Sequence, residues 1–443
     1  MLERVEDAGA YADLALHAAL ERSRLPAGDR ALATELVYGT LRWRGRLDFA
    51  LAHALGRGLD EIEPRVANLL RLGAYQLLLL DRVPDAVAVS ESVRLARGAG
   101  LERAAGLVNA ALRRLARERD AIPLPDLEDD PLGHLVHALS IPSWIAARWI
   151  AAYGAEDAAR LAHASNAQAP RSVRANRRLV SRDALLAELR ERFPDAQACR
   201  FAPDGIRLGR GSPEQAGRPA HDPAFLAGRM TIQDEASQVV VEWLDPQPGE
   251  RVLDACAAPG AKATAIAERL GEAGEVIGLD RHPRRLELLA RDARRLALAN
   301  VRIQRADASR PLGGLFAAAS FDRILVDAPC SGLGALRRNP DARWRLQPDA
   351  LKRLAAVQRA ILLRVRPLLV PGGVLVYSTC TLAPEENEAV IDAFLEEAPE
   401  FRRAPAPPPA SIAGLVGADG HLRTLPHRHG IDGFFAARLE RVR

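Results

Sequence analysis

The sequence predicts a multidomain chain: an all-α N-terminal domain, a small α+β middle domain and a doubly wound α/β domain of Rossmann-like type. Three observations lead there. At 443 residues the chain is too long for one ordinary hydrophobic core. Its first ~130 residues repeat apolar positions with a period near 3.6. From about residue 233, short apolar runs alternate with helical stretches, the pattern of a parallel sheet covered on both faces. The expected boundaries are 1–135, 136–232 and 233–443.

In the front domain, DRALATELVYGTLRWRGRLDFALAHAL (29–55) and RVANLLRLGAYQLLLL (65–80) read as amphipathic helices broken by Gly and Pro. AIPLPDLEDDPLGHLVHALSIP (121–142), rich in Pro and acids, reads as a linker or domain edge. Beyond it the pattern predicts helices at SWIAARWIAAY (143–153) and SRDALLAELRER (181–192), with strand-like RSVRAN (171–176) and GIRLG (205–209). Five apolar runs then read as parallel strands: RVLDA (251–255), EVIGLD (275–280), VRIQRAD (301–307), FDRILVDAP (321–329) and GGVLVYST (372–379). RRAPAPPPASIAG (402–414) holds too much Pro for regular structure, and DGFFAARLE (432–440) reads as a last strand. No internal repeat is visible.

Composition narrows the class. Hydrophobic residues at 48% and charged residues at 27% suit a soluble globular protein, and no apolar run approaches the ~18 residues that span a bilayer. The N-terminus, MLERVEDAGAYADLALHAAL, has acids and helical periodicity where a signal peptide needs a basic start and an apolar core, so a cytoplasmic protein is expected. Cys199, Cys256, Cys330 and Cys380 form no C-x-x-C pair, which argues against a disulfide framework and a zinc site. HRHG (427–430) lacks further ligand spacing, and no metal is expected. Net charge is only +4, and 57 acids nearly balance the basic residues, so charge alone says little about nucleic acid.

Open α/β sheets bind ligands outside the carboxyl ends of their strands. The informative residues follow the apolar runs: DACAAPGAKAT (254–264), then Asp280, Asp307, and Asp327 within DAPCSG. The turn is neither a P-loop nor G-x-G-x-x-G. Asp280 stands about where an acid reaches a ribose hydroxyl in such sheets, leaving Asp307 to the base and Asp327 to the other end of a nucleoside. An aspartate at a strand end often just caps the next helix, but three in consecutive units point to a ligand. A cofactor with a cationic centre and no pyrophosphate, such as S-adenosylmethionine, fits this acidic rim.

Two cysteines sit at equivalent strand ends, Cys330 after VDAP and Cys380 after VYST. A lone cysteine is usually a buried structural residue, and Cys199 is assigned that role. A pair on the ligand-bearing edge points instead to a thiolate nucleophile, activated by nearby positive charge or by a helix N-terminus near Pro384. Lys262 is one of only two lysines, with Lys352, among 61 basic residues, so its place beside the turn suggests that a compact ammonium is needed there.

With DACAAPGAK, DAPCSG and STCT in order, the chain resembles the RNA cytosine-5 methyltransferases. LVYGTLRWRGRLD and RLGAYQLLLL resemble a NusB-type RNA-binding domain. Together with the middle segment ending in IQDEASQ, the arrangement is similar to the bacterial small-subunit ribosomal RNA methyltransferases of the RsmB/Sun family. The resemblance implies a NusB-like front domain, a small RNA-binding middle subdomain, and a class I methyltransferase domain that uses S-adenosylmethionine. Carried over by position, it implies that Cys256, Ala257, Ala258, Pro259, Gly260, Ala261 and Lys262 line the methionine part of the cofactor. Asp280 would hold the ribose, Asp307 would lie by the adenine, and Asp327 would close the pocket beside the target base. Cys380 becomes the nucleophile and Cys330 the helper in product release. The family usually has Gly-Gly-Lys where this chain has Gly260-Ala261-Lys262; if residue 261 needs φ > 0, alanine costs about 1 kcal/mol there.

The chemistry so implied has the Cys380 thiolate add to carbon 6 of cytosine while Asp327, supported by Lys262, shares a proton with nitrogen 3; carbon 5 then takes a methyl group. GALRRNPDARWR (334–345) reads as an RNA-positioning loop through Arg337, Arg338 and Arg343, and RWRGR (42–46) as a further contact through Arg42 and Arg44. A monomer acting on ribosomal RNA is expected. Transfer RNA as substrate, a DNA cytosine methyltransferase, and a non-catalytic RNA-binding assembly or antitermination factor stand as alternatives. The Thr-Cys motif and the helical front end speak against DNA; both cysteines, Asp327 and Lys262 speak against a relic.

Overall fold

The computed structural model describes residues 2–6, 12–209, 219–404 and 407–442. The chain divides into two compact units, one made of Met1–Gln168 with Leu336–Leu346, the other of Ala169–Ala335 with Gln347–Arg443.

The first unit is helical. Ala27–Arg42, Arg44–Leu55, Pro64–Leu79, Asp85–Gly98 and Ala105–Glu118 supply most of its helices, and Leu47, Leu51, Leu70, Leu112 and Leu115 meet in its core at no more than 1% exposure. Spacings of three and four put those side chains on the inward stripes. Ser143–Tyr153 and Ala155–Asn166 belong to the same unit, and the expected linker contains a helical turn at Pro131–Gly133 running into a π-helical turn at His134–Ala138.

Leu336–Leu346 comes from far along the sequence yet packs as part of this unit. Arg343 is fully buried, donating through Nη1 to Asn166 Oδ1 (2.8 Å) and the Ser140 carbonyl (3.1 Å), and through Nη2 to the Ser165 carbonyl (3.2 Å). Trp344 Nε1 donates to the Leu41 carbonyl at 2.6 Å. Burial, then the nearby Arg42, pushes the Arg343 guanidinium down to about 9.

The second unit contains two sheets. Strands β1 (Ser172–Ala175), β2 (Gln197–Ala198), β3 (Gly205–Arg207) and β4 (Met230–Ile232) form an antiparallel sheet in the order β2-β3-β1-β4. Arg182–Arg190, N-capped by Ser181 Oγ, buries Leu185, Leu186 and Leu189 against it.

The larger sheet comprises β5 (Arg251–Asp254), β6 (Glu275–Asp280), β7 (Val301–Arg305), β8 (Phe321–Asp327), β9 (Leu369–Thr379), β10 (Phe401–Arg403), β11 (His421–Thr424) and β12 (Phe434–Arg441). Its order is β10-β12-β9-β8-β5-β6-β7, with β11 on β12. The five predicted runs, β5 to β9, are all parallel; β12 returns antiparallel to β9 and carries β10 and β11 antiparallel. The sheet is therefore mixed rather than wholly parallel. Alternate side chains serve opposite faces: Leu253, Ile324, Val326, Leu375 and Tyr377 join one core, whereas Val252, Leu325 and Val376 join the other.

The chain order reverses at β5, with β6 and β7 on one side and β8 and β9 on the other. Such a switch point opens a crevice at the carboxyl ends of the strands. Register sets the charged residues along that edge: Asp254 pairs with Gly278 and Leu325, and Asp327 pairs with Ser378.

Candidate active site

Each site residue is delivered by the segment that leaves a strand. After β5 the chain turns through Gly260 at φ +123°, a conformation closed to residues with a side chain; a Cβ there would also lie 2.6 Å from Leu289 Cδ1. Ala261 then begins the Ala261–Leu270 helix and is absent from the residues with positive φ. The anticipated strain at Ala261 does not arise, because the left-handed step belongs to Gly260 alone. Ala261, Ala263, Ala265 and Ala267 are strong helix formers, and the last three are buried.

A cavity of about 280 Å³ opens at the switch point, lined among others by Cys256, Ala258, Asp280, Asp307, Asp327, Cys330 and Cys380. These seven were read from the sequence, and they converge. Ala257, Pro259, Gly260, Ala261 and Lys262 are not in the lining; Ala257 packs with Ala263 and Leu289 beneath it. Lys262 instead contacts a lining residue, its Nζ 2.8 Å from Asp327 Oδ2 and 5.2 Å from the Phe434 ring centroid. Burial works against its ammonium, but Asp327, Cys380 and Asp254 outweigh that cost and raise its pKa, so it stays charged.

Ser378 donates to Asp327 Oδ1 at 2.9 Å, so both carboxylate oxygens are engaged. The β8–β9 register signals this residue, but the sequence reading passed over it. Arg285 and His282 were also missed: both line the cavity, with Arg285 Nη1 3.5 Å from Asp280 Oδ2 and the His282 amide 2.7 Å from Asp280 Oδ1. Asp307 accepts from Ser309 Oγ (2.6 Å) and the Ser309 amide (3.0 Å), which hold it below the ordinary carboxylate value. The local-turn role and the cavity-facing role thus coexist at Asp280 and Asp307.

The two thiols meet, with Cys330 Sγ 3.4 Å from Cys380 Sγ. The contact with Cys380, then burial, pushes the Cys330 thiol up, which keeps it protonated and able to donate S–H toward Cys380. The Cys256 thiol is pushed up by burial and by Asp254, Asp327 and Asp280, conditions unsuited to a nucleophile. Burial, then Glu235, raises Cys199 as well.

A clamp behind the thiols also escaped sequence reading. Glu386, fully buried, accepts from the Ser331 amide (2.9 Å) and Gln358 Nε2 (2.9 Å), and Gln358 Nε2 also donates to the Pro329 carbonyl (2.9 Å). Ser331 Oγ lies 2.6 Å from Thr381 Oγ1, and Asn387 ties Thr379 Oγ1 to the Thr381 carbonyl. The residues flanking each cysteine are therefore fixed by Gln358, Glu386 and Asn387. The Gly334 amide donates to the Cys380 carbonyl at 2.9 Å, and a Cβ on Gly334 would strike the Gly433 carbonyl oxygen at 2.0 Å.

Asp254, 1% exposed, is pushed up to about 7 by burial and then by Asp327. Its Oδ2 has no hydrogen-bond donor among the described residues. This concentration of carboxylates favours a ligand with a positive centre, and the donor set fits S-adenosylmethionine: an acidic lining with Asp280 and Asp307 at the ends of successive strands.

The arginines fare differently. Arg343 and Arg337, expected on an RNA-positioning loop, are 0% and 5% exposed, so the expectation that they face RNA is corrected: the loop is packing material of the helical unit. Arg42 is partly buried and donates to the Arg337 carbonyl (3.2 Å). Arg44 lies over the Trp344 ring, 5.5 Å from its centroid, and near Asp48. Arg338 is partly exposed. Among the described residues, no group of three or more His, Cys, Asp or Glu is arranged to hold a metal ion, and no helix is long and apolar enough to cross a membrane.

Comparison with known proteins agrees with this architecture. Residues 241–440 match the 16S rRNA methyltransferase RsmB/F family, residues 1–117 the NusB family, and residues 141–214 the ferredoxin-like domain of RsmF/B-like methyltransferases. The chain is 37% identical to the probable ribosomal RNA small subunit methyltransferase B of Bacillus subtilis, covering 99% of this chain and 97% of that one. It is 37% identical to the probable enzyme of the same name from Synechocystis, covering 100% and 98%. A solved methyltransferase homologue from Pyrococcus horikoshii is 30% identical over 71% of this chain and 99% of its own, with a TM-score of 0.58. A NusB domain, a ferredoxin-like domain and an S-adenosylmethionine-dependent methyltransferase domain in this order, matched over nearly full length, mean that the chain belongs to the RsmB family of ribosomal RNA small subunit methyltransferases.

Proposed function

We propose that the chain methylates carbon 5 of a cytosine in 16S ribosomal RNA through a covalent adduct with Cys380, as a cytoplasmic monomer. The observation that carries this reading is the pair of thiols 3.4 Å apart beside a carboxylate fixed by Lys262 and Ser378. S-adenosylmethionine, whose ribose Asp280 would hold and whose adenine would lie by Asp307, would supply an electrophilic methyl group. The rest is done by side chains. Carbon 5 of aromatic cytosine is a poor nucleophile; addition of the Cys380 sulfur to carbon 6 makes the ring an enamine whose carbon 5 carries the electron density. Asp327 and the charged Lys262 share the proton that nitrogen 3 takes up in that addition. After transfer a base removes the carbon 5 proton, the carbon–sulfur bond breaks, and the Cys330 S–H contact supports departure of the Cys380 thiolate. The cytosine must be unpaired or flipped to reach the cavity.

Labelled S-adenosylmethionine with deproteinised ribosomal RNA, transfer RNA and DNA tests the reading, and bisulfite sequencing maps the product. Label in 16S RNA at a bisulfite-resistant cytosine is the expected result. Label only in transfer RNA or in DNA, or none in any, overturns it in favour of the corresponding alternative.

A further inference from the structure

Three arginines that reach solvent without an acid partner among the described residues, Arg97, Arg113 and Arg117, lie along one helical hairpin. Helices Asp85–Gly98 and Ala105–Glu118 pack against each other across the short segment 99–104. Beside them lies a groove of about 680 Å³ with Val89, Val93 and Ala116 in its wall and Arg94, Arg97, Arg113 and Arg117 along it. Residues 93, 94 and 97 of one helix and 109, 113, 116 and 117 of the other recur at helical spacing, which puts them on facing stripes.

The charge there is unbalanced. Arg94 pairs with Glu91. Arg113 meets only the neutral Asn109 Oδ1, at 3.0 Å, and Arg97, Arg113 and Arg117 have no carboxylate partner among the described residues. Asp85 is the one acid in the lining among the described residues, and Arg119 takes it at 2.8 Å. Arg114, just off the groove, is neutralised by Glu118 at 2.9 Å.

We propose that this groove holds the ribose–phosphate backbone of the RNA substrate. Guanidinium forks match phosphate oxygens in pairs, and Ser90 and Asn109 offer hydrogen bonds for ribose hydroxyls. Among the described residues the lining has no aromatic ring for bases to stack on, so the contact positions RNA without reading its sequence. The proposal rests on RNA being the substrate, and it adds where the helical unit grips it.

The test uses the full-length protein and a fluorescent, deproteinised 16S RNA fragment, titrated across salt concentrations. The triple variant R97A/R113A/R117A is compared with R65A/R114A/R160A, whose arginines are each paired with an acid. Each lost phosphate contact lowers the slope of log affinity against log salt by about 0.7 to 0.9. The groove variant should therefore lose about 2 to 3 from that slope and bind RNA on the order of tenfold more weakly, with kcat at saturating RNA unchanged. An unchanged slope, or an equal loss in the control triple, overturns the groove. A poly-glutamate peptide binding as tightly as RNA would assign it to an acidic protein partner and overturn it too. Should the wild-type protein bind no RNA at all, the methylation reading falls with the groove; should it methylate RNA while the groove variant matches it throughout, the groove alone falls.

Discussion

The rim at the carboxyl ends of β5 to β9 and the segment 334–345 were both read from the sequence as functional, and the fold places their residues oppositely. At the rim, Asp280, Asp307, Asp327, Cys330 and Cys380 line one cavity. In the segment, Arg343 and Arg337 are sealed inside the helical unit. A parallel strand fixes where its last residue points, so a polar residue at its end has one place to go. A loop has no such constraint, and an arginine can as well turn inward to satisfy carbonyls as outward to meet phosphate.

Substitutions at the two regions sharpen this contrast. Cys380→Ala should abolish transfer, lowering turnover by about 1000-fold or more, while Cys330→Ala should leave protein crosslinked to RNA on a denaturing gel. If Cys330→Ala abolished addition and Cys380→Ala trapped the adduct, the roles at the rim would be exchanged. Arg343→Ala should leave several buried acceptors unpaired and lower stability by about 3 kcal/mol in chemical denaturation, with little effect on kcat of the folded fraction. A loss of RNA affinity without a loss of stability would instead restore it as an RNA contact.

Smaller effects test what lies behind the rim. Glu386→Ala should free the Ser331 amide and Gln358 and cost about 10- to 100-fold in kcat with little change in KM for RNA, and Glu386→Gln should recover part of it. An equal rise in KM would mean that the clamp shapes the binding surface rather than the thiol pair. Asp254 is lifted in the fold to about 7 from an ordinary value near 4. Between those values the folded chain keeps a proton that the unfolded chain has released, so stability falls as pH rises from about 4 to about 7 and then levels. Asp254→Asn should flatten that fall in thermal midpoints; an unchanged slope would place its origin elsewhere. Ala261→Gly should weaken the start of its helix by about 0.5 kcal/mol and leave cofactor affinity unchanged, as measured by calorimetry.

The same contrast explains what was legible. All five parallel strands could be read, because each is a compact apolar run whose alternate residues serve two cores. The antiparallel β10 and β11 could not: Phe401–Arg403 abuts a proline-rich stretch, and His421–Thr424 has too few apolar residues to stand out. Cys330, Cys380 and the aspartates were visible as chemistry at strand ends. Ser378 was hidden because only register places it opposite Asp327, and Glu386 because a buried carboxylate looks like a surface acid until the fold surrounds it.

The inward turn of Arg343 has a consequence for synthesis. Its acceptors on Ser140, Ser165 and Asn166 emerge from the ribosome well before it does, since most of the sheet-bearing sequence lies between. A nascent chain that has reached only residue 168 lacks a piece of its own first unit. That unit can collapse early but can close only after most of the polypeptide has been made, so a fragment cut at the apparent boundary should behave as an unfinished protein.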